Sequence, residues 1–218
     1  MQRPVFASLQ SLFGLSDEQA MWQVRTQDDE RSFAALVRRW EGPIQRLCTR
    51  MTGDAETGKD LAQETFARVF ARRKDYQPNG KFSTWLWRIA LNLSYDELRR
   101  RRRRDEWPLD APDATSALEL CAAPELAPDH SLLREERGEF VRRALERLPE
   151  GQRTVLVLRH YENLKFREIA ELLDLPDGTV KSRMADALTR MTQLLKASLQ
   201  DQPVHDSNKE HQTKESYL

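Results

Sequence analysis

Apolar residues in the first half of the chain recur at three-and-four spacing. Between Ser32 and Met51 they fall at Phe33, Leu36, Val37, Trp40, Ile44, Leu47 and Met51, which places one face of an amphipathic helix against a core. Gly42-Pro43 interrupts this run and predicts a split or kink, because proline removes a backbone donor and its ring crowds the preceding turn. A second helix is expected from Asp54, an N-cap residue type, to about Lys74. Its inward positions are Leu61, Ala62, Phe66, Val69 and Phe70, and its other face carries Asp60, Gln63, Glu64 and Arg68. Tyr76-Gln77-Pro78-Asn79-Gly80 has turn chemistry, after which Ser83 is suited to cap a third long helix with Leu86, Ile89, Ala90 and Leu93 inward.

The third helix runs into Arg99–Arg104, six consecutive arginines. Residues 105–133 then hold seven acidic side chains, no Lys or Arg, and Pro108, Pro112, Pro124 and Pro128 without sustained periodicity. Such a stretch predicts an extended, flexible acidic linker. Helical periodicity returns over Leu133–Leu148, Gly151–Tyr161 and Phe166–Leu173, and from Thr179 to about Leu199 with Val180, Met184, Leu188, Met191 and Leu195 on one face. Strand signals are absent. The expected fold is all-α, two small helical domains joined by the linker, the second of them a helix-turn-helix domain. Its parts are an N-terminal extension over 1–24, a first domain over 25–104, the linker over 105–133, a second domain over 134–199 and a disordered tail over 200–218.

Length supports this division, since 218 residues suffice for two small domains that each bury a core. Lys plus Arg and Asp plus Glu both total 35, so net charge gives no hint of a nucleic-acid partner, but the arginine run and the acidic linker are opposite blocks that cancel. Cys48 and Cys121 form no CxxC pair and have no histidine at ligand spacing, so they are expected to be structural or incidental thiols, with no metal and no cofactor. His130, His160, His205 and His211 sit in no nucleophile, metal or phosphate-loop motif, and the chain is not expected to be an enzyme. No apolar run approaches the roughly 20 residues that span a bilayer. The N-terminus lacks the pattern of a signal peptide, and a cytoplasmic location is expected.

Two segments carry functional chemistry. Phe166 to Arg183 reads as a short apolar-faced helix, a tight turn and a second helix led by polar residues, the physics of a helix-turn-helix. Ala170 is small where the helices would cross, and Thr179, Lys181, Ser182 and Arg183 fall near the second helix's start, within reach of base edges and phosphates. In the other segment, Phe82, Trp85 and Trp87 lie beside Lys81, Arg88 and the arginine run, a combination suited to unstacked bases and backbone phosphate. Helical patterning assigns Phe82 and Trp85 to the core and leaves Trp87 as the better stacking candidate. Six adjacent arginines are either a solvated helix end or a cluster neutralised by phosphates, and their mutual repulsion favours phosphates.

Three segments together resemble extracytoplasmic-function sigma factors of the sigma-70 family: Asp60-Leu-Ala-Gln-Glu-Thr-Phe-Ala-Arg-Val-Phe, then Phe82-Ser-Thr-Trp-Leu-Trp-Arg-Ile-Ala-Leu-Asn-Leu-Ser-Tyr-Asp-Glu-Leu-Arg-Arg, then Leu148-Pro through Gly178-Thr-Val-Lys-Ser-Arg. They occur in family order and spacing, and the resemblance spans about residues 25–198. It implies a transcription initiation factor that binds core RNA polymerase and reads the −10 and −35 promoter elements. Asp60, Gln63, Glu64 and Arg68 would dock on the clamp helices. Asn79, Lys81, Ser83, Trp87, Arg88, Asn92, Arg99 and Arg100 would lie along the melted −10 strand, although Asn92 can equally be a structural hydrogen-bonding residue. Arg167, Thr179, Lys181, Ser182, Arg183, Asp186 and Arg190 would face the −35 duplex, with Lys181 and Arg183 leading, and the second domain would also touch the polymerase flap. Asp186 departs from the family, which usually has a basic residue there; it either accepts from a cytosine amino group or pairs with Arg190 one turn on, the pair being the favoured use. The linker either threads the polymerase channel or is an inert tether, and an anti-sigma factor is implied as a partner.

Overall fold

A computed structural model describes residues 15–78, 80–106 and 138–200, with side chains throughout except at 105–106 and 198–200. Among these residues all regular structure is helical. The elements are α1 (Asp17–Gln27), α2 (Glu30–Thr52), α3 (Ala55–Ala71), a short 3-10 turn (Arg73–Asp75), α4 (Phe82–Glu106), α5 (residues 138–146), α6 (Glu150–His160), α7 (Phe166–Leu173) and α8 (Asp177–Gln200). The expected linker, the tail beyond 200 and Asn79 lie outside the described residues.

Residues 17–24, which the sequence reading assigns to an extension, belong to α1 and to the core. Ser16 caps this helix reciprocally: its hydroxyl accepts the Gln19 N–H at 3.2 Å and its own N–H reaches Gln19 Oε1 at 3.1 Å. Ala20, Met21 and Val24 are buried against α2. Three apolar positions in a short polar stretch make too brief a stripe for periodicity to register.

Of the expected split or kink at Gly42-Pro43 the split does not occur, and α2 is one helix with Pro43 inside it. An interior proline costs about 3 kcal/mol. Leu36, Ile44, Leu47, Cys48 and Met51 are each buried along the same helix, and full burial of a large apolar side chain is worth about 1.5–3 kcal/mol, so burial prevails. Gly53 ends α2 at φ 79°, its N–H bonded to the Thr49 carbonyl at 2.8 Å. Asp54 caps α3 as expected, accepting the Thr57 N–H at 2.9 Å. Gly58 lets α2 and α3 touch, since a Cβ there would stand 2.8 Å from the Thr49 backbone nitrogen.

Helices α1–α4 form one bundle and α5–α8 a second, and the two are packed together. Arg153 of α6 is buried and donates to the carbonyl of Met51 in α2 and to those of Glu146 and Leu148 beside α5. The Tyr95 hydroxyl of α4 meets Thr154 Oγ1 at 2.8 Å. Arg50 lies 4.1 Å above the Tyr161 ring and 3.7 Å from Glu162, whose carboxyl is raised by burial against the opposing influence of Arg50 and Arg46. Cys48 is buried, and that burial pushes its thiol up to about 11, in keeping with a structural, unreactive cysteine.

Candidate nucleic-acid interface

Loop 76–81 is held at both ends by rings. Tyr76 is fully buried and its hydroxyl donates to the Gly80 carbonyl at 3.1 Å; burial first, then the nearby charges of Glu18 and Asp17, pushes that hydroxyl up to about 12. Phe82 packs edge-on to Tyr76 at 6.2 Å and to Trp40 at 6.4 Å. Between these anchors Gln77, Pro78, Gly80 and Lys81 are exposed. Ser83 is not the cap of α4: the helix begins at Phe82, and the Phe82 N–H is met at 3.3 Å by the carboxylate of Glu18 from α1.

Trp87 is buried rather than exposed, while Trp85 packs against the core as expected but only in part. Trp87 is 8% exposed and set edge-on to Trp40 at 5.6 Å, with its Nε1 unpartnered, so no base can stack on it in this conformation. Trp85 is half-buried, tilted against Tyr76 at 5.4 Å, and is the more accessible of the two. The reason lies in α2: Trp40, whose Nε1 donates to Asp17 at 3.0 Å, covers the side of α4 that bears Trp87. Asn92 is exposed and makes no side-chain hydrogen bond among the described residues.

The arginine run is largely paired within the protein. Arg99 meets Asp96 at 2.5 Å, Arg100 meets Glu97 at 2.5 Å, and Arg104 reaches Glu97 at 3.5 Å. Arg101 bonds Glu97, the Thr52 carbonyl at 3.2 Å and the Asp54–Thr57 cap; Arg102 crosses to Glu150 of α6 at 3.2 Å. Mutual repulsion is therefore met by acidic side chains spaced one turn away and by α6, and neutralisation by phosphate is not needed to explain the run. Arg99, Arg100, Arg102 and Arg104 remain more than 60% exposed at the side chain.

Lys81 and Arg88 face the second bundle. Lys81 Nζ is 2.7 Å from Glu168 of α7, and this contact lowers the Glu168 carboxyl and raises the Lys81 ammonium. Arg88 donates to the carbonyls of Glu171 at 3.0 Å and Leu172 at 3.3 Å. Those carbonyls belong to the C-terminal turn of α7, which carries partial negative charge.

The helix-turn-helix itself is formed by α7 and α8. Asp174 at φ 54° makes the turn, and the Leu175 N–H closes it on the Ala170 carbonyl at 3.0 Å. Ile169, Ala170, Leu172, Val180, Ala187 and Met191 are buried. Helix α8 begins at Asp177, two residues before the expected start, so Thr179 lies in its first turn and Lys181 pairs with Asp177 at 2.6 Å. Lys181, Ser182, Asp186 and Arg190 are exposed, as is Arg167, which pairs with Glu171 at 3.2 Å. The favoured Asp186–Arg190 pair is not formed; both side chains are exposed and no ion pair joins them. Arg183 is half-buried, its guanidinium beside Gly151 at the start of α6 and close enough to Tyr95 to act on its hydroxyl. Exposed Asp60, Gln63 and Glu64 with half-buried Arg68 form a separate face on α3, where Arg68 and Glu64 pair at 2.9 Å.

The Sigma-70 region 2 model matches residues 36–104 and the Sigma-70, region 4 model residues 141–191. The chain is 36% identical to the ECF RNA polymerase sigma factor SigW of Bacillus subtilis over 160 residues, 72% of this chain and 84% of that protein. It belongs to the extracytoplasmic-function sigma factors. The RNA polymerase sigma-H factor of Pseudomonas aeruginosa is 32% identical over 85% of this chain and 96% of its own length. Among solved structures, CnrH in complex with the cytosolic domain of CnrY superposes with a TM-score of 0.62 over 83% of this chain and 97% of its own, at 24% identity. The sigma factor RpoE in complex with the anti-sigma factor NepR from Bartonella quintana gives 0.61 over 76% and 98%, at 20% identity; both likenesses speak to the fold. This sigma factor thus acts with RNA polymerase in promoter recognition and transcription initiation, its first bundle corresponding to region 2 and its second to region 4. Among the described residues no helix is long and apolar enough to cross a membrane, and no group of acidic, histidine and cysteine side chains is arranged to hold a metal.

Proposed function

We propose that this chain divides promoter recognition among three surfaces and acts in the cytoplasm without catalytic chemistry of its own. The α3 face of Asp60, Gln63, Glu64 and Arg68 docks on the polymerase clamp helices. Loop 76–81, with Asn79, Lys81, Ser83, Arg88, Asn92, Arg99 and Arg100, follows the melted −10 strand, and Trp85 replaces Trp87 as the accessible ring. Thr179, Lys181, Ser182, Arg183, Asp186 and Arg190 on α8, with Arg167, face the −35 duplex. An anti-sigma protein, the kind of partner named in the complex of RpoE with NepR, is proposed as the restraining partner. The carrying observation is the exposure of polar faces on two packed helical bundles: Asp60, Gln63 and Glu64 on α3 are open, Lys181, Ser182, Asp186 and Arg190 on α8 are open while Thr179 and Arg183 are half-buried, and the exposed Lys81 and Arg88 are bonded to α7. Use of Lys81 and Arg88 on the same promoter requires their bonds to α7 to be exchanged for DNA.

Reconstituted transcription with core polymerase and genomic promoter fragments tests this reading. Sequence-selective initiation that depends on the chain is expected, and charge reversal at Asp60 and Glu64 should abolish holoenzyme assembly while helicity is retained. Arg183→Ala should cost about 1–3 kcal/mol at one −35 base pair. Equal loss on all sequences would reassign Arg183 to phosphate contact, and unchanged assembly after charge reversal would remove the α3 docking face.

A further inference from the structure

Helix α1 is tied to the rest of the first bundle at both faces of its first turn. Asp17 bonds Trp40 Nε1 at 3.0 Å and also pairs with Arg39, while Ala20, Met21 and Val24 are buried. Glu18, the next residue, points to a different element. Its Oε1 accepts the Phe82 N–H at 3.3 Å, at the first residue of α4. The opening turn of any helix leaves amide donors without intrahelical partners and carries partial positive charge, so a fixed carboxylate there is both acceptor and counter-charge. Helix α4 thus takes its N-terminal cap from another helix, 64 residues earlier in the chain. Its own Ser83, the residue type that would ordinarily serve, is inside the helix.

The same carboxylate borders loop 76–81. Phe82 is the loop's downstream anchor, packed on Tyr76, its upstream one, and Glu18 acts electrostatically on both Tyr76 and Lys81. We propose that Glu18 is a positioning residue for promoter reading: by capping α4 at Phe82 it sets where the loop before α4 ends, and so which base that loop can take. This rests on the assignment of the loop to the −10 strand. A second consequence follows from charge. A helix N-terminus is a ready anion site, and with Glu18 in it the DNA backbone is kept off Phe82 and directed toward the exposed Lys81 and Arg88, which bond α7.

The test uses the full chain as holoenzyme, on a promoter selected by the wild type from genomic fragments and then varied at each −10 base. Glu18→Ala removes acceptor and charge; Glu18→Gln keeps an acceptor of the same length. Glu18→Ala is expected to reduce discrimination at the captured base by about fivefold, the factor corresponding to a typical lost cap, with core affinity and −35 preference unchanged. Glu18→Gln should retain most of that discrimination. Hydrogen exchange at the Phe82 amide supplies a readout independent of DNA: it should accelerate in Glu18→Ala and stay slow in Glu18→Gln, with both variants equally helical. Wild-type discrimination in a Glu18→Ala holoenzyme, or a change at Phe82 without any change at −10 bases, would overturn the positioning role. Wild-type holoenzyme indifferent to −10 sequence would instead overturn the assignment of the loop itself.

Discussion

Replacing Arg153 with Met tests what holds the two bundles together. Arg153 is 6% exposed and donates through Nη1 to the Met51 carbonyl and through Nη2 to those of Glu146 and Leu148, while its Nε has no partner. Burial lowers its pKa, and Glu146 and Glu150 oppose that shift. Its acceptors include the ends of α2 and α5, where helix dipoles present negative charge. One of the three bonds, that to Met51, joins the bundles. A hydrogen bond to a charged group contributes about 1.5–3 kcal/mol, so its loss should shift the closed-to-open ratio by roughly tenfold to a hundredfold. The other two bonds lie within the second bundle, and their loss should lower its melting temperature in Arg153→Met.

Methionine keeps an unbranched chain of similar length, which limits the cavity and isolates the polar contribution. The assay is single-molecule energy transfer between labels at Lys59 on α3 and Lys196 on α8, both exposed, with Cys121 replaced. A population at longer distance should appear in Arg153→Met, and Arg153→Lys, which keeps the charge without the planar fork, should fall between the two. An unchanged distance distribution at unchanged helicity would refute the assignment of closure to Arg153.

Gly58→Ala should destabilise the first bundle by about 1–3 kcal/mol in chemical denaturation, because the added carbon meets the Thr49 backbone, which cannot move aside; a neutral result would mean that α2 and α3 are less tightly apposed. Asp54→Ala should cost about 1 kcal/mol as a lost cap. Hydrogen bonds from Thr57, then the charge of Arg101, hold the Asp54 carboxyl below its ordinary value, so its stabilisation is present above the unfolded pKa of about 3.9 and disappears as pH falls through the lower folded value. The difference between wild type and Asp54→Ala should therefore vanish in strong acid, and a difference that persists there would count against the linkage. Glu168→Gln removes the partner of Lys81 and should strengthen binding of a single-stranded −10 oligonucleotide at low salt, with the gain lost at high salt; equal affinity at low salt would show that Lys81 is not on the strand's path.

Much of the fold is readable from local pattern because α2, α3, α7 and α8 each carry several turns of apolar residues on one face. Phe166–Leu173 was delimited to the residue, helped by the polar turn that follows it. What local pattern misses depends on a partner element. Pro43 predicts a break only if its helix is considered alone, and α1 becomes visible only once α2 offers a surface for Met21 and Val24. Of the residues assigned to DNA, Trp87 is buried for the same reason: Trp40, forty-seven positions earlier, packs on it. Glu18 and Arg153 are not legible in the sequence because their value lies in backbone groups of distant helices, and no side-chain spacing encodes an N–H or a carbonyl.

The same limitation bears on the arginines, where tertiary structure changes the reading most. Taken alone, a block of six cations calls for an external anion. In the folded chain Glu97 takes three of them, Asp96 another and Glu150 of the second bundle a further one. Lys81 and Arg88 are likewise met from within, by a carboxylate and by the carbonyl end of α7. Groups suited to phosphate are thus held by weaker, internal acceptors, most of them at the solvent-exposed margin where ion pairs contribute little. Such contacts keep the bundles in register yet can be exchanged for a polyanion, whose binding is reinforced by release of its condensed counterions. Arg153 is different: its acceptors are buried, and no DNA phosphate can replace them without opening the interface. Opening the interface therefore requires breaking the Arg153–Met51 bond together with the Tyr95–Thr154 and Arg50–Glu162 contacts, whereas the exposed cations can exchange their partners without it.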